Sequence, residues 1–392
     1  MRIAPVTRRI QRPPTPEPAT SVFVPPPVPV VVAPPAPVFV SPPAPVFVSP
    51  PAPVVVAPPT PVMVAPPAPG FMIFQNCPPD KVYVLDGGLA TELERDGFSL
   101  LHDPLWSARI LHENPEAIVQ VHNRYLESGA EIITTASYQA SLVGFQKHLG
   151  LTFEQSKQLL KSSVDLANKA RKKYFDDFKE TKEILVAGSI GSYGAALADG
   201  SEYTGDYCEK LTHEELINWH RPRIDCLIEA GVDLLAFETI PSVKEGEALM
   251  KILKDLPSTK AWLSFSCQSM HQTSHKEDIG TSALTCMKMA SLNQLVAVGF
   301  NCCSPEYVES LLKDINAVSN GYPLIVYPNS GEKWDSNTGW TGGKVTRNHT
   351  CLESWINSSA KIIGGCCRTT PGDISQIAKY FQRKNNFVIY WN

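Results

Sequence analysis

From residue 81 onward, short apolar runs alternate with polar stretches of helical period. Eight runs stand out: VYVLDGG (82–88), IITTAS (132–137), ILVAGSIG (184–191), LLAFET (234–239), WLSFSC (262–267), VAVGFNC (296–302), LIVYPNS (324–330) and IIGGCC (362–367). Continuous apolar runs of this length suit strands buried on both faces. Helix-start signals follow most of them. Asn114-Pro115-Glu116 and Ser304-Pro305-Glu306 put a capping side chain before a proline at the first helical position. Thr152 to Gln155, Thr212 to Glu215 and Ser242 to Glu245 have the spacing of capping boxes, and Thr370-Pro371 opens a last helix, DISQIAKYFQ. Eight strand–helix alternations predict a (β/α)8 TIM barrel rather than an open doubly wound sheet. No G-x-G-x-x-G follows the first run, which argues against a dinucleotide site.

Residues 1–75 follow another pattern. They hold most of the 35 prolines, and from Pro26 an eight-residue unit recurs: PPVPVVVA, PPAPVFVS, PPAPVFVS, PPAPVVVA, PPTPVMVA, PPAPGFM. Proline at this density blocks helix and sheet alike. The expectation is a disordered proline-rich segment of polyproline II character, a spacer or a ligand for SH3- or WW-type partners, with the barrel occupying 76–392. The opening MRIAPVTRRIQR is basic and free of acids, but the prolines behind it spoil the amphipathic helix that an import sequence needs.

Composition narrows the function. With 392 residues, 43% of them apolar, and a net charge of −4, the chain can bury a large core and offers no basic surface for nucleic acid. The ten cysteines are scattered, and no stretch has signal-peptide or membrane-spanning character. Reduced thiols in the cytoplasm are the expectation.

Active sites of such barrels form at the carboxyl ends of the strands. Polar residues collect there: Asp86, Thr135, Ser137, Glu238, Ser266, Asn301, Cys302, Asn329, Cys366 and Cys367. Successive strand residues face opposite ways, so Cys366 and Cys367 can bind one ion only where the strand ends and the chain turns. Gly364 and Gly365 ease such a bend. Cys302 or Cys303, from the sixth run, could complete the set. Three thiolates with a fourth position open describe a catalytic zinc site. Cysteine is also buried for packing alone, and inert packing or exposure is the reading for Cys77, Cys208, Cys226, Cys267, Cys286 and Cys351.

The elements VLDGGLATELERDG, DPLWSARIL, ITTASYQAS, SYGAALADGSEYTGDY, AFETIPS, GFNCCSPEYV, YPNSGEKWD and IIGGCCRTTP occur in this order over residues 81–383. On these elements the chain resembles the homocysteine S-methyltransferase family. The resemblance implies Cys302, Cys366 and Cys367 as zinc ligands and leaves Cys303 as a packing residue. It implies that Asp86 and Glu238 hold the amino group of homocysteine, with Gly87 and Gly88 letting backbone amides approach its carboxylate. Ser192 departs from the proline frequent in relatives, which bears only on the stiffness of that loop.

The implied reaction moves a methyl group from a cationic donor to the homocysteine thiol, giving methionine. The ADGSEYTGDY loop and the short barrel resemble the S-methylmethionine branch. S-adenosylmethionine as donor, selenocysteine as acceptor and a betaine-dependent enzyme are alternatives within the family. A non-catalytic scaffold with a recruiting proline tail is the alternative outside it. A sulfonium donor calls for aromatic faces and carboxylates. Candidates are Tyr193, Tyr203 and Tyr207 among Asp199, Glu202 and Asp206, and Glu332, Trp334, Asp335 and Trp340 after the seventh run.

Overall fold

The computed structural model describes residues 81–179, 182–291, 293–335, 339–343 and 349–389. The proline-rich segment lies outside the described residues. All eight apolar runs contain a strand: β1 Tyr83–Val84, β2 Ile132–Thr134, β3 Leu185–Gly191, β4 Leu234–Ile240, β5 Ala261–Ser266, β6 Leu295–Asn301, β7 Leu324–Tyr327 and β8 Ala360–Ile363. They pair in parallel in the order β1-β8-β7-β6-β5-β4-β3-β2. A parallel bridge between Leu85 and Ile132, reinforced by the Asp86 amide donating to the Ile132 carbonyl at 3.0 Å, joins β1 to β2 and closes the ring. The fold is the (β/α)8 barrel that the alternation predicts.

Each strand contributes to two cores. Alternate residues, Tyr83, Leu185, Ala187, Leu234, Ala236, Trp262, Ala297, Ile325 and Ile362, fill the barrel interior. Their neighbours Val84, Val186, Leu235, Phe237, Leu263, Val298 and Val326 pack outward against the helices. This period of two continues to the strand ends, so Thr134, Ser189, Glu238, Asn301 and Tyr327 share the parity of the inward set.

Helix starts follow the local signals with two differences. Asn114 caps Pro115–Glu127 through the Ala117 amide, and both Thr152–Gln155 and Thr212–Glu215 form capping boxes. Ser304-Pro305 opens only a 3-10 turn, Pro305–Tyr307, without a side-chain cap, before the helix Val308–Ser319. Ser242 caps Val243–Lys254 through the Lys244 amide, but Glu245 forms no box, because its carboxylate is held by partners from other elements. A short antiparallel hairpin, Lys333–Asp335 with Gly339–Thr341, was not predicted. Among the described residues no helix is long and apolar enough to cross a membrane.

Candidate active site

A cavity of about 90 Å³ opens at the carboxyl end of the barrel, and Asp86, Gly87, Gly88, Glu238, Cys302, Cys366 and Cys367 all line it. Its inner wall is acidic. Asp86, just past β1, is 2% exposed and accepts the Thr134 amide at 2.8 Å and the Thr134 hydroxyl at 3.1 Å. Glu238, near the end of β4, accepts the Ser189 hydroxyl and a hydrogen bond from Tyr327. Burial pushes Glu238 up to about 7, with the two hydrogen bonds opposing the shift. Burial likewise holds Asp86 well above the usual carboxylate range, and the charge of Glu238 adds to it. A cation placed beside these two buried acids would relieve the desolvation of both and the repulsion that Glu238 exerts on Asp86.

Gly87 and Gly88 are required by space. A Cβ on Gly87 would lie 2.4 Å from the Thr369 carbonyl oxygen, and one on Gly88 would lie 2.7 Å from that of Cys366. The Gly88 amide already donates to the Thr369 carbonyl at 3.1 Å, which leaves the Gly87 amide as the one available to a ligand.

Three sulfurs line the same cavity. The Sγ atoms of Cys302, Cys366 and Cys367 lie within 4.8 Å of one another. β8 ends at Ile363, three residues before the first of the paired cysteines. The chain then turns, with the Thr369 amide donating to the Cys366 carbonyl at 3.1 Å, so strand alternation no longer separates the two side chains. Neighbours hold this turn: the Cys366 amide donates to the Pro328 carbonyl at 2.9 Å, and the Ser330 amide to the Cys367 carbonyl at 3.1 Å. Arg368, with a left-handed φ of 63°, forks onto Glu332 with two contacts of 2.9 Å. Cys302 follows β6 at φ 51°, a strained value for a residue other than glycine that turns it away from the strand.

Cys302 and Cys367 have their sulfurs 3.7 Å apart, far beyond the roughly 2.05 Å of a disulfide. Two thiolates on one tetrahedral zinc, with bonds of about 2.3 Å, would stand about 3.8 Å apart. Hydrogen bonds from Cys366, Cys367, Tyr203 and Asn329 draw the Cys302 thiol well below its usual pKa, while Cys366 and Cys367 hold their protons harder in return. The trio therefore supports one thiolate unaided and needs a cation to carry three, which is the chemistry of a soft-metal site. Cys303 turns the other way, buried in the outer core beside Cys267.

The candidates for the donor side separate. The Tyr203 hydroxyl sits 3.2 Å from Cys302 Sγ, and Glu202 is carried beside it, its carbonyl accepting the Ser266 hydroxyl at 2.9 Å. Tyr193 and Tyr207 are instead packed on one another, with ring centroids 5.2 Å apart, and Tyr193 also contacts Trp219. The Tyr207 hydroxyl donates to Glu245, which also takes the Tyr193 amide at 2.7 Å and His220 Nε2 at 2.8 Å. Asp199 accepts the Ser201 amide at 2.9 Å, Asp206 is exposed, and Glu332 clamps Arg368. The side chains of Trp334, Asp335 and Trp340 lie outside the described residues. Trp106 and Tyr138, which also line the cavity, escaped sequence reasoning although both fall inside the motifs DPLWSARIL and ITTASYQAS. Arg223 supports Tyr138 from behind by donating to its carbonyl at 2.9 Å and to that of Gly191 at 3.0 Å.

A parallel barrel whose carboxyl-end cavity is lined by a clustered thiol trio and by paired buried acids has the ligand set of a metal-dependent enzyme. The homocysteine S-methyltransferase family model matches residues 83–381. The chain is 43% identical to homocysteine S-methyltransferase YbgG of Bacillus subtilis, covering 76% of this chain and 93% of that one. It is 42% identical to a selenocysteine Se-methyltransferase of Brassica oleracea, covering 76% and 88%. Among solved structures, the metallated form of the homocysteine methyltransferase MmuM from Escherichia coli superposes with a TM-score of 0.68 at 41% identity, covering 76% of this chain and 96% of that one. The chain belongs to the homocysteine S-methyltransferase family and is a methyltransferase.

Proposed function

We propose that the protein transfers a methyl group from a sulfonium donor, S-methylmethionine foremost, to the thiol of homocysteine, with zinc held by Cys302, Cys366 and Cys367. The observation that carries this reading is one cavity lined both by three clustered sulfurs and by Asp86 and Glu238. Zinc bound there would keep a fourth thiol deprotonated at neutral pH, where a free one with a pKa of about 8.5 is mostly protonated.

The chain's own residues do the rest. Asp86 and Glu238 take the α-ammonium of homocysteine, and the Gly87 amide meets its carboxylate. This fixes the amino-acid end so that the side chain reaches toward the cysteines. Tyr203 stands with its hydroxyl at Cys302, beside the position the reacting sulfur would take. The sulfur's electron pair forms the new bond to methyl carbon, and the donor's carbon–sulfur pair returns to the donor sulfur. The thiol proton is released, and with S-methylmethionine both products are methionine. Holding both reactants in line supplies much of the rate, since the methyl group needs no acid or base of its own.

A selenol would enter the same position, and the Brassica relative supports this as the second reading. The test is to incubate purified, zinc-loaded protein with homocysteine or selenocysteine and, in turn, S-methylmethionine, S-adenosylmethionine and betaine. Methionine formed fastest from homocysteine and S-methylmethionine supports the proposal. Preference for selenocysteine or betaine would reassign acceptor or donor, and no transfer from any pair would reject methyl transfer in favour of the scaffold reading.

A further inference from the structure

β4 and β5 fall out of step at the mouth of the barrel. Phe237 pairs with Leu263 and Ile240 with Phe265, so β4 uses one residue more than its neighbour over that stretch. The extra residue makes a β-bulge, a device that re-aims side chains beside active sites. Here it breaks the alternation: Glu238 faces inward by parity, yet Thr239, which should face the helices, lines the same cavity. Thr239 has φ 58°, a strained value for a β-branched residue. Asn301 holds it there. The Asn301 side chain reaches from β6 past β5, accepting the Thr239 amide on Oδ1 at 2.8 Å and donating from Nδ2 to the Thr239 hydroxyl at 2.8 Å. The same Nδ2 donates to Cys366 Sγ at 3.8 Å. Asn301 is fully buried and its backbone is paired on both sides, with Ser266 of β5 and Tyr327 of β7, which makes it a rigid anchor.

We propose that Asn301 is a positioning residue that fixes the separation between the Glu238 carboxylate and the sulfur trio, and so selects the acceptor by the length of its side chain. The inference rests on the homocysteine reading above and deepens it. One side-chain amide touches both ends of the acceptor's seat: through Thr239 it sets the bulge that aims Glu238, and through Cys366 it meets the sulfurs. Without this clamp Thr239 would relax to extended geometry, and the peptide it shares with Glu238 would swing with it. Thr239 also shares a hydrogen bond with Tyr138, which lines the cavity, so the clamp extends to a third surface. An amino acid whose thiol and ammonium must both be met is measured against a fixed span. Homocysteine, with two methylenes before its sulfur, meets both ends, whereas cysteine, one methylene shorter, must release one. A single methylene is worth about 10- to 200-fold in selection between homologues.

The test measures binding in the absence of any methyl donor. Full-length, zinc-loaded wild type, Asn301→Ala, Thr239→Val and Thr239→Ser are titrated calorimetrically with L-homocysteine and L-cysteine, and methionine formation is assayed separately. Wild type prefers homocysteine by at least about tenfold. In Asn301→Ala the homocysteine Kd rises about thirtyfold, the scale of buried hydrogen bonds left unmade, while the cysteine Kd moves less than about threefold, because cysteine never spanned the seat. Thr239→Val keeps the shape but offers Asn301 no hydroxyl, and it loses the preference in the same way. Thr239→Ser keeps the hydroxyl and retains the preference. A merely structural weakening would raise both Kd values together and leave their ratio unmoved. Circular dichroism and atomic absorption check folding and bound zinc, and where Asn301→Ala fails either, the two Thr239 variants decide. An intact preference in Thr239→Val, or in folded, loaded Asn301→Ala, overturns the clamp and leaves methyl transfer standing, and equal binding of the two amino acids by wild type overturns the clamp as well. A preference lost in the variants, with no methionine formed by wild type from any donor, overturns methyl transfer and leaves the clamp standing.

Discussion

The inner wall of the site grows from strands, and the outer wall hangs from loops. Asp86 and Glu238 are positioned by the register of β1 to β4, and their oxygens are met by Thr134, Ser189 and Tyr327. Gln139 and Glu202 sit in connecting segments, and Gln139 Oε1 and Glu202 Oε2 meet no hydrogen-bond donor among the described residues. Even the tie that holds the outer loop, Glu245, reaches it from a helix behind the barrel. A strand end is fixed by the closure of the whole ring, whereas a loop can be respecified without disturbing the core. If the proposed reading holds, recognition of the acceptor is locked into the fold, and recognition of the donor is left to parts that can change.

The sulfur trio is the metal-binding part of the proposed site, so removing one of its members should have the largest effect. Cys366→Ala is expected to lose bound zinc, read by atomic absorption, and to lower methyl transfer at least about a thousandfold, since two thiolates no longer define the site. Stoichiometric zinc with full turnover in this variant would remove the centre from the comparison altogether.

Next comes the inner wall. Glu238→Gln is expected to raise KM for homocysteine by about a hundredfold, the scale of a buried charge contact, with the donor KM within about twofold. The same variant has a signature in stability. The folded protein keeps the Glu238 proton to about pH 7, whereas the unfolded chain releases it near 4.5. Between these values the folded state binds more protons, so stability falls as pH rises, by about 3 kcal/mol for this group. Asp86 and Glu202, also raised, add losses of the same sign. Urea titrations of the zinc-free protein at pH 5 and 7.5 should show a smaller difference in Glu238→Gln than in wild type. An equal difference would mean that Glu238 is already ionised in the fold.

Much of the inner wall was legible because its determinants are local. The apolar runs marked all eight strands and put Glu238 and Asn301 at strand ends, while their inward direction shows only in the parity of the folded strands. The turn at Cys366 was legible only as a condition, because where β8 stops depends on its pairing with β7 and β1 rather than on the residues IIGGCC themselves. The outer wall was opaque for a different reason. Tyr193, Tyr203 and Tyr207 are chemically identical, and only tertiary placement sends one to Cys302 and the others to Glu245. Glu245 itself was misread: S-x-x-E spacing is a local signal, but its partners His220, Tyr207 and Tyr193 stand 25, 38 and 52 residues away.

That distant tie provides a sharper probe of the loop. Glu245→Gln keeps the shape but cannot serve three donors equally, and a buried hydrogen bond left unmade costs about 2 kcal/mol. Expected are a lower melting temperature and a KM several-fold higher for the donor, with KM for homocysteine little moved. Equal increases for both substrates would show that the loop serves the inner wall as well, and the division between the halves would then fail.

The smallest effect is expected from the cysteine beside the trio. Cys303 neighbours Cys302 in sequence, is 3% exposed and packs in the outer core. Its carbonyl accepts the Asn329 amide at 3.0 Å, a bond that survives any side-chain change, and Asn329 in turn supports the Cys302 thiolate. Cys303→Ala should therefore keep full zinc and kcat/KM within about twofold, while stability drops by about 1 kcal/mol for the lost sulfur contact. Cys303→Ser should cost more, because a hydroxyl replaces a thiol in apolar surroundings. Zinc lost from Cys303→Ala but retained by Cys302→Ala would exchange the ligand between the two neighbours and with it the side of β6 on which the site is built.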